Sequence, residues 1–130
     1  MSTAAHKFLL YNALYNAPME QTAHAGARPA APELSERQRR HLRALAHALK
    51  PVIRLGSAGL TQAVAAETAR ALADHELIKV KVGGGDREAR DELFAALAVR
   101  TGSALVQRIG NVAVLYRPHP QLPRILIPDA

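Results

Sequence analysis

The segment Gly56-Ser57-Ala58-Gly59 has a pattern that suits contact with a phosphate group. Because glycine lacks a Cβ, a ligand can approach the backbone closely, and N–H groups at the start of a following helix can donate to anion oxygens. A G-x-x-G turn between a strand and a helix therefore indicates a phosphodiester backbone as the ligand. The pattern alone is weak, since many tight strand-to-helix connections contain glycine, and its surroundings decide the interpretation.

Lysine and arginine residues are concentrated immediately before this segment. At 100° per residue most of them lie on one flank of a predicted first helix, and residues 37–54 contain no Asp or Glu. A solvated helix face normally mixes both signs of charge, so this one-sided charge favours a polyanion. The predicted binding residues of this region are Arg37, Arg39, Arg40, Arg43, Lys50, Arg54, Gly56, Ser57, Ala58 and Gly59.

Sequence motifs for catalysis and metal binding are absent. There is no G-x-x-x-x-G-K-[ST] phosphate loop, no H-E-x-x-H and no G-x-S-x-G around Ser57. The chain has no cysteine, and its six histidines form no i, i+4 pair. We therefore expect a protein that is not an enzyme and that has no metal, cofactor or small-molecule substrate.

Length and charge describe one small basic domain. The chain has 130 residues, of which 48% are hydrophobic, with a net charge of +6. Residues 1–33 contain as many acidic as basic residues, so the whole excess of positive charge lies in residues 34–130. No apolar run approaches the roughly 18 residues of a membrane span, and we expect a soluble, cytoplasmic protein without a membrane partner.

Hydrophobic periodicity predicts three helices and four strands that must position these residues. Ser35 and Gln38 have the spacing of a capping box at the start of the first helix. Gly110-Asn111 is a two-residue hairpin signal between the last two strands. The predicted elements are a helix over 36–49, a strand over 52–55, a helix over 60–74, a strand over 77–82, a helix from the N-cap Asp86 to Thr101, and strands over 103–109 and 112–117.

The order α-β-α-β-α-β-β predicts a compact α/β fold with a mixed β-sheet covered by helices. The strand over 77–82 alternates, so Lys79 and Lys81 share one face and extend the basic surface if that face is uncovered. The predicted domain organisation is a flexible N-terminal extension over 1–33, the folded domain over 34–118 and an extended C-terminal tail over 119–130.

Aromatic residues are scarce in the predicted domain. Residues 34–130 contain only Phe94 and Tyr116, and Phe94 lies near the apolar stripe of its helix. Modules that read unpaired bases stack them on several aromatic rings. The sequence therefore favours structured RNA or a duplex, recognised through backbone and shape.

Several separated motifs in order resemble the YhbY-type CRM domain, an RNA-binding module of bacterial ribosome-associated proteins and plant organellar splicing factors. The matching segments are LSERQRRHLRALAHALKPVIRLGSAGLTQAV, HELIKVKV, DREAR and TG…VQRIGNVAVLYRP, which together span residues 34–118. The resemblance implies a fold like the C-terminal domain of translation initiation factor three. It also implies binding to ribosomal RNA in precursors of the large subunit (pre-50S), with Gly56 and Gly59 in the family's loop.

Other functions remain open at this point. A small basic α/β domain can also coat duplex DNA or RNA through phosphate contacts, as nucleoid proteins do. A phosphate-handling enzyme would need a general base or metal ligands, which the sequence does not indicate. Residues 8–15 (FLLYNALY) are a possible protein-docking anchor, although a disordered extension is the simpler interpretation. We expect a monomer.

Overall fold

The structure is a computed structural model that describes residues 30–130. The predicted extension over 1–33, including the segment FLLYNALY, lies almost entirely outside the described residues. The element order is α-β-α-β-α-β-β, as predicted. The elements are α1 (Glu36–Ala46), β1 (Pro51–Leu55), α2 (Gln62–His75), β2 (Leu77–Val82), α3 (Arg87–Thr101), β3 (Ala104–Ile109) and β4 (Val112–Tyr116).

Helix α1 begins at the predicted capping box and ends earlier than predicted. The Ser35 hydroxyl accepts from the Gln38 amide at 3.1 Å, and the Gln38 side chain accepts from the Ser35 amide at 2.9 Å. The helix ends at Ala46, whereas the periodicity predicted residue 49. Pro51 keeps residue 50 out of the helix, because its ring disfavours helical backbone at the preceding residue. Residues 47–48 form a turn instead of a last helical turn, with the Leu49 amide donating to the Ala46 carbonyl at 2.9 Å. Lys50 therefore lies in the loop before β1.

The four strands form one mixed sheet in the order β1-β2-β4-β3. Strands β1 and β2 pair in parallel, whereas β4 pairs antiparallel with both β2 and β3. The β3–β4 hairpin turns at Gly110-Asn111, as the sequence predicted. The mixed sheet of the predicted α/β fold is confirmed.

Helices cover both faces of the sheet, but unequally. Helices α2 and α3 pack against one face, where the core includes Ile53, Leu72, Val80, Phe94, Leu97 and Leu115. Helix α1 packs on the opposite face, where a smaller core consists of Leu42, Ala46, Leu77, Val106, Val114 and Tyr116. Ile125 and Ile127 of the C-terminal segment pack against this second core. The part of the second face formed by β1 and the end of β2 lies outside this core, since Leu77 is its only residue from these two strands.

Glu76 fixes the C-terminal segment, which contains neither helix nor strand after Tyr116. Its carboxylate is fully buried and accepts three backbone N–H groups, from His119, Arg124 and Ile125, at 2.6–2.9 Å. Burial alone would raise the pKa of Glu76, but these donors together with the Arg124 guanidinium outweigh it and hold the pKa below its ordinary value. The extended tail is thus an integral part of the fold.

Candidate nucleic-acid interface

The uncovered half of the second sheet face is basic. Arg54 on β1 and Lys81 on β2 are register partners, and Lys79 lies two residues before Lys81 on the same face. Arg54 is exposed and both lysines are half-buried. Neighbouring strands lie about 4.8 Å apart, so these three charges lie within one small area. Lys79 and Lys81 are both partly exposed on this face, which is the condition under which they extend the basic surface.

One flank of α1 borders this area. On the opposite flank the Gln38 side chain donates to the Pro128 carbonyl at 3.0 Å, and the His41 ring lies 2.9 Å from the Leu126 carbonyl oxygen, so that flank faces the C-terminal segment. At 100° per residue, Arg39 and Arg43 project from the other flank, towards the uncovered sheet. We call this arrangement the basic step. Its wall is the Arg39/Arg43 flank of α1, and its floor is formed by Arg54, Lys79 and Lys81.

Two arginines of the wall already have partners within the chain. The Arg39 guanidinium donates to the Leu105 carbonyl of β3 at 2.8 Å, which ties α1 to the sheet edge. The Arg43 guanidinium donates to the Glu36 carboxylate at 2.8 Å. The hydrogen bond and charge of Arg43, with smaller effects from Arg40 and Arg39, lower the pKa of Glu36. These two side chains are thus held by partners within the protein.

Cations without a partner are concentrated on and around the step. Within residues 30–130, eight lysine and arginine side chains make no hydrogen bond or ion pair. Two of them, Arg70 and Arg87, belong to α2 and α3 beneath the other sheet face. The other six are Arg37, Arg40, Lys50, Arg54, Lys79 and Lys81, of which Arg37 lies on the His41 side of α1 and the other five lie on or beside the step. All six were predicted as binding residues from the sequence.

The Gly56–Gly59 loop directly follows β1 and therefore lies next to Arg54 of the floor. It is a tight turn in which the Gly59 amide donates to the Gly56 carbonyl at 3.0 Å, with Ser57 and Ala58 exposed at its tip. Gly59 has a φ of +71°, which explains glycine there. Gly56 has no such φ, and a Cβ built on it would meet no atom within 4 Å. Neither backbone conformation nor internal packing demands glycine at position 56.

Side chains for base stacking or metal binding do not accompany the step. Phe94 and Tyr116, the two aromatic residues of the predicted domain, are both buried. Residues 30–130 contain no group of three or more His, Cys, Asp or Glu side chains that would hold a metal ion. What the step offers is therefore guanidinium, ammonium and backbone N–H donors, which are the groups that bind phosphate oxygens.

Sequence reasoning missed Glu36, which stands one residue before the acid-free stretch. Its spacing of seven residues from Arg43 places the two side chains on the same flank of a helix. The helical spacing could have revealed Glu36, whereas nothing local could have revealed that Arg54 lies beside Lys81.

These features define a small α/β domain with one strongly cationic face. The chain belongs to the CRS1 / YhbY (CRM) domain family, since the profile of that domain matches residues 34–117. The resemblance inferred from the sequence motifs is therefore confirmed. None of the helices in residues 30–130 has the length and apolarity that crossing a membrane requires.

Relatives with the same domain are named as RNA-binding proteins. An "RNA-binding protein" of Haemophilus influenzae is 50% identical over 95 residues, covering 70% of this chain and 96% of that protein. "Probable RNA-binding protein PA4753" of Pseudomonas aeruginosa is 43% identical over 88 residues, covering 68% of this chain and 85% of its own. The solution structure of Staphylococcus aureus SAV1595, described as a suspected RNA-binding protein, superposes with a TM-score of 0.65 at 34% identity, covering 74% of this chain and all of that one.

Proposed function

We propose that this protein binds RNA in the basic step, with the phosphate backbone as the main contact. One observation carries the proposal: five of the eight unpaired cations of the described chain, all except Arg37, Arg70 and Arg87, lie on or beside one surface. Unpaired cations gain most from phosphate contact, because no internal ion pair has to be broken first. The names of the relatives support RNA as the ligand.

The RNA is structured rather than an unpaired strand. An unpaired strand is usually bound by stacking its bases on exposed aromatic side chains. Both aromatic residues of the domain, Phe94 and Tyr116, are buried. Double-helical RNA presents continuous rows of phosphates and 2′-hydroxyls, which suit a step lined with cations and backbone donors. Gly56 supports close approach of such a backbone, since its open side faces no protein atom.

The specific target we propose is ribosomal RNA in pre-50S particles, with the protein acting as a non-enzymatic assembly factor. The support for this step is the resemblance of the segments LKPVIRLGSAG and HELIKVKV to ribosome-associated CRM proteins. We further propose that the protein acts as a cytoplasmic monomer, without a small-molecule substrate. Each of these statements extends beyond RNA binding itself and needs its own test.

A matched pair of double charge reversals tests the binding surface. Arg40→Glu/Arg54→Glu and Arg70→Glu/Arg87→Glu change the net charge equally, but only the first pair belongs to the proposed surface. Anisotropy titration of a labelled RNA hairpin should show binding lost in the first variant and retained in the second. Equal loss in both variants would mean that affinity follows net charge alone. Parallel titration with duplex DNA separates RNA binding from the coating of any duplex.

Sedimentation tests the ribosomal target. Tagged protein from a gentle lysate is run on sucrose gradients at low and raised salt, while ribosomal RNA species are followed in each fraction. Co-migration with particles that contain precursor large-subunit RNA, lost as salt rises, is the expected result. Protein that stays at the top of the gradient at low salt refutes the ribosomal target and leaves RNA binding to be tested separately.

A further inference from the structure

Glu36 is the only acidic residue in α1 and the four strands. Its side chain is 64% exposed, and its Oε2 accepts a hydrogen bond from Arg43 Nη2 at 2.8 Å. The elements that form the step thus hold one carboxylate, and that carboxylate is bonded to one of the cations of the wall.

The pair is not needed to hold the fold. An exposed ion pair of this kind contributes little to stability, because water already solvates both partners. The cap of α1 is made by Ser35 and Gln38, without Glu36. Glu36 in the first turn does interact favourably with the helix dipole, but that interaction does not require contact with Arg43.

A guanidinium group binds carboxylate and phosphate oxygens with the same donors and similar geometry. Arg43 is therefore held in the free protein by a group that resembles its expected ligand. Nearby Arg40 and Arg39 feel the same carboxylate, since both contribute to the lowered pKa of Glu36.

We propose that Glu36 is an internal competitor for RNA, occupying on Arg43 the contact that a phosphate takes in the complex. This inference rests on the proposed RNA-binding function. When RNA binds, the hydrogen bond between Arg43 and Glu36 breaks and one between Arg43 and a phosphate oxygen forms, with no proton transferred. Glu36 thereby lowers affinity for all anions.

The competition also makes the site selective for chains of phosphates. An isolated anion has to displace the carboxylate alone. A phosphate of an RNA backbone already held by Arg54 and Lys81 is delivered to Arg43 at a high effective concentration, so the carboxylate is displaced readily. Glu36 thus discriminates against free phosphate and mononucleotides.

Titration of a labelled RNA hairpin with the full chain tests the proposal. Glu36→Gln should bind roughly fivefold more tightly than the wild type, as expected when a competing surface ion pair is removed. Glu33→Gln, an equal change of charge three residues upstream at a residue with no ion pair in the described chain, should change affinity by less than about twofold. Thermal melts of each variant confirm that the domain is folded.

A double-mutant cycle shows whether the effect passes through Arg43. In an Arg43→Gln background, Glu36→Gln should no longer increase affinity. A gain that persists there, or a gain of equal size in Glu33→Gln, would show general repulsion and overturn the competitor role, as would unchanged or weaker binding by Glu36→Gln. Failure of the wild-type protein to bind any RNA is a different result, since it overturns the proposed function itself.

Discussion

Arg54 and Lys81 are direct register partners on the parallel strands β1 and β2, with both side chains on the uncovered face of the sheet. Like charges on neighbouring strands repel, and no carboxylate from either strand lies between them. A bound polyanion offsets this repulsion, because its phosphates attract both side chains. The pair is thus unfavourable for the isolated fold and favourable for the complex.

Arg54→Gln should accordingly separate stability from binding. Relief of the repulsion should leave the free energy of unfolding unchanged or raise it by a few tenths of a kcal/mol. RNA affinity should fall, and the slope of log K against log salt should become shallower by roughly 0.7–0.9, the contribution of one phosphate contact. Urea denaturation and titrations at several salt concentrations measure the two effects. A variant with wild-type affinity and slope would remove Arg54 from the interface.

Gly56→Ala tests whether the loop backbone approaches the ligand. The new methyl group enters open space at an ordinary φ and reduces the freedom of the unfolded chain, so the melting temperature should stay unchanged or rise by a few degrees. RNA binding should nevertheless weaken, because the methyl group holds the phosphate away from the backbone. Gly84→Ala is the control, since a Cβ there also meets nothing within 4 Å. Unchanged affinity in Gly56→Ala would exclude close contact at this residue.

Arg39 and Arg40 are adjacent in sequence but should behave differently. Arg40→Gln should weaken RNA binding without affecting stability, since Arg40 makes no hydrogen bond in the described chain. Arg39→Gln should weaken binding and also destabilise the domain by about 1 kcal/mol, because its bond to the Leu105 carbonyl is lost. Thermal melts and titrations of both variants give the comparison. Equal stability of the two would mean that the bond to Leu105 contributes nothing.

Glu76 should make the domain sensitive to acid. The pKa of Glu76 is lowered in the folded protein, so its stabilising contribution is complete above the pKa of the unfolded chain and is lost as pH falls through the folded pKa. Glu76→Gln should cost about 2–4 kcal/mol at pH 7, because the buried carboxylate accepts three N–H groups that an amide cannot all satisfy.

Denaturant unfolding of both proteins between pH 7 and pH 3 checks this expectation. The difference in free energy of unfolding between wild type and Glu76→Gln should shrink as pH falls. Glu67→Gln, at an exposed position of α2, is the control and should change stability little at any pH. A difference that stays constant with pH would mean that Glu76 acts through its shape and not its charge.

Much of the fold was predictable because its signals are local. The alternation in β2 predicted residues 77–82 without error, and the capping box located the start of α1. The end of α1 was misplaced at residue 49, because the apolar spacing continues to Leu49 after the helix has ended at Ala46. Pro51 restricts residue 50 directly, which excludes that residue from the helix but does not locate the end at Ala46.

The sequence by itself determined the order of elements, the excess of positive charge and the residues that carry it, because periodicity and composition are properties of neighbouring residues. Only the tertiary structure decided which of these cations are paired within the protein. Arg39 meets Leu105 across 66 residues of sequence, and the Arg54–Lys81 pair exists only once β1 lies beside β2. The C-terminal segment, held by Glu76, covers the flank of α1 that carries Gln38 and His41. Contacts between distant segments depend on packing, which no local pattern encodes.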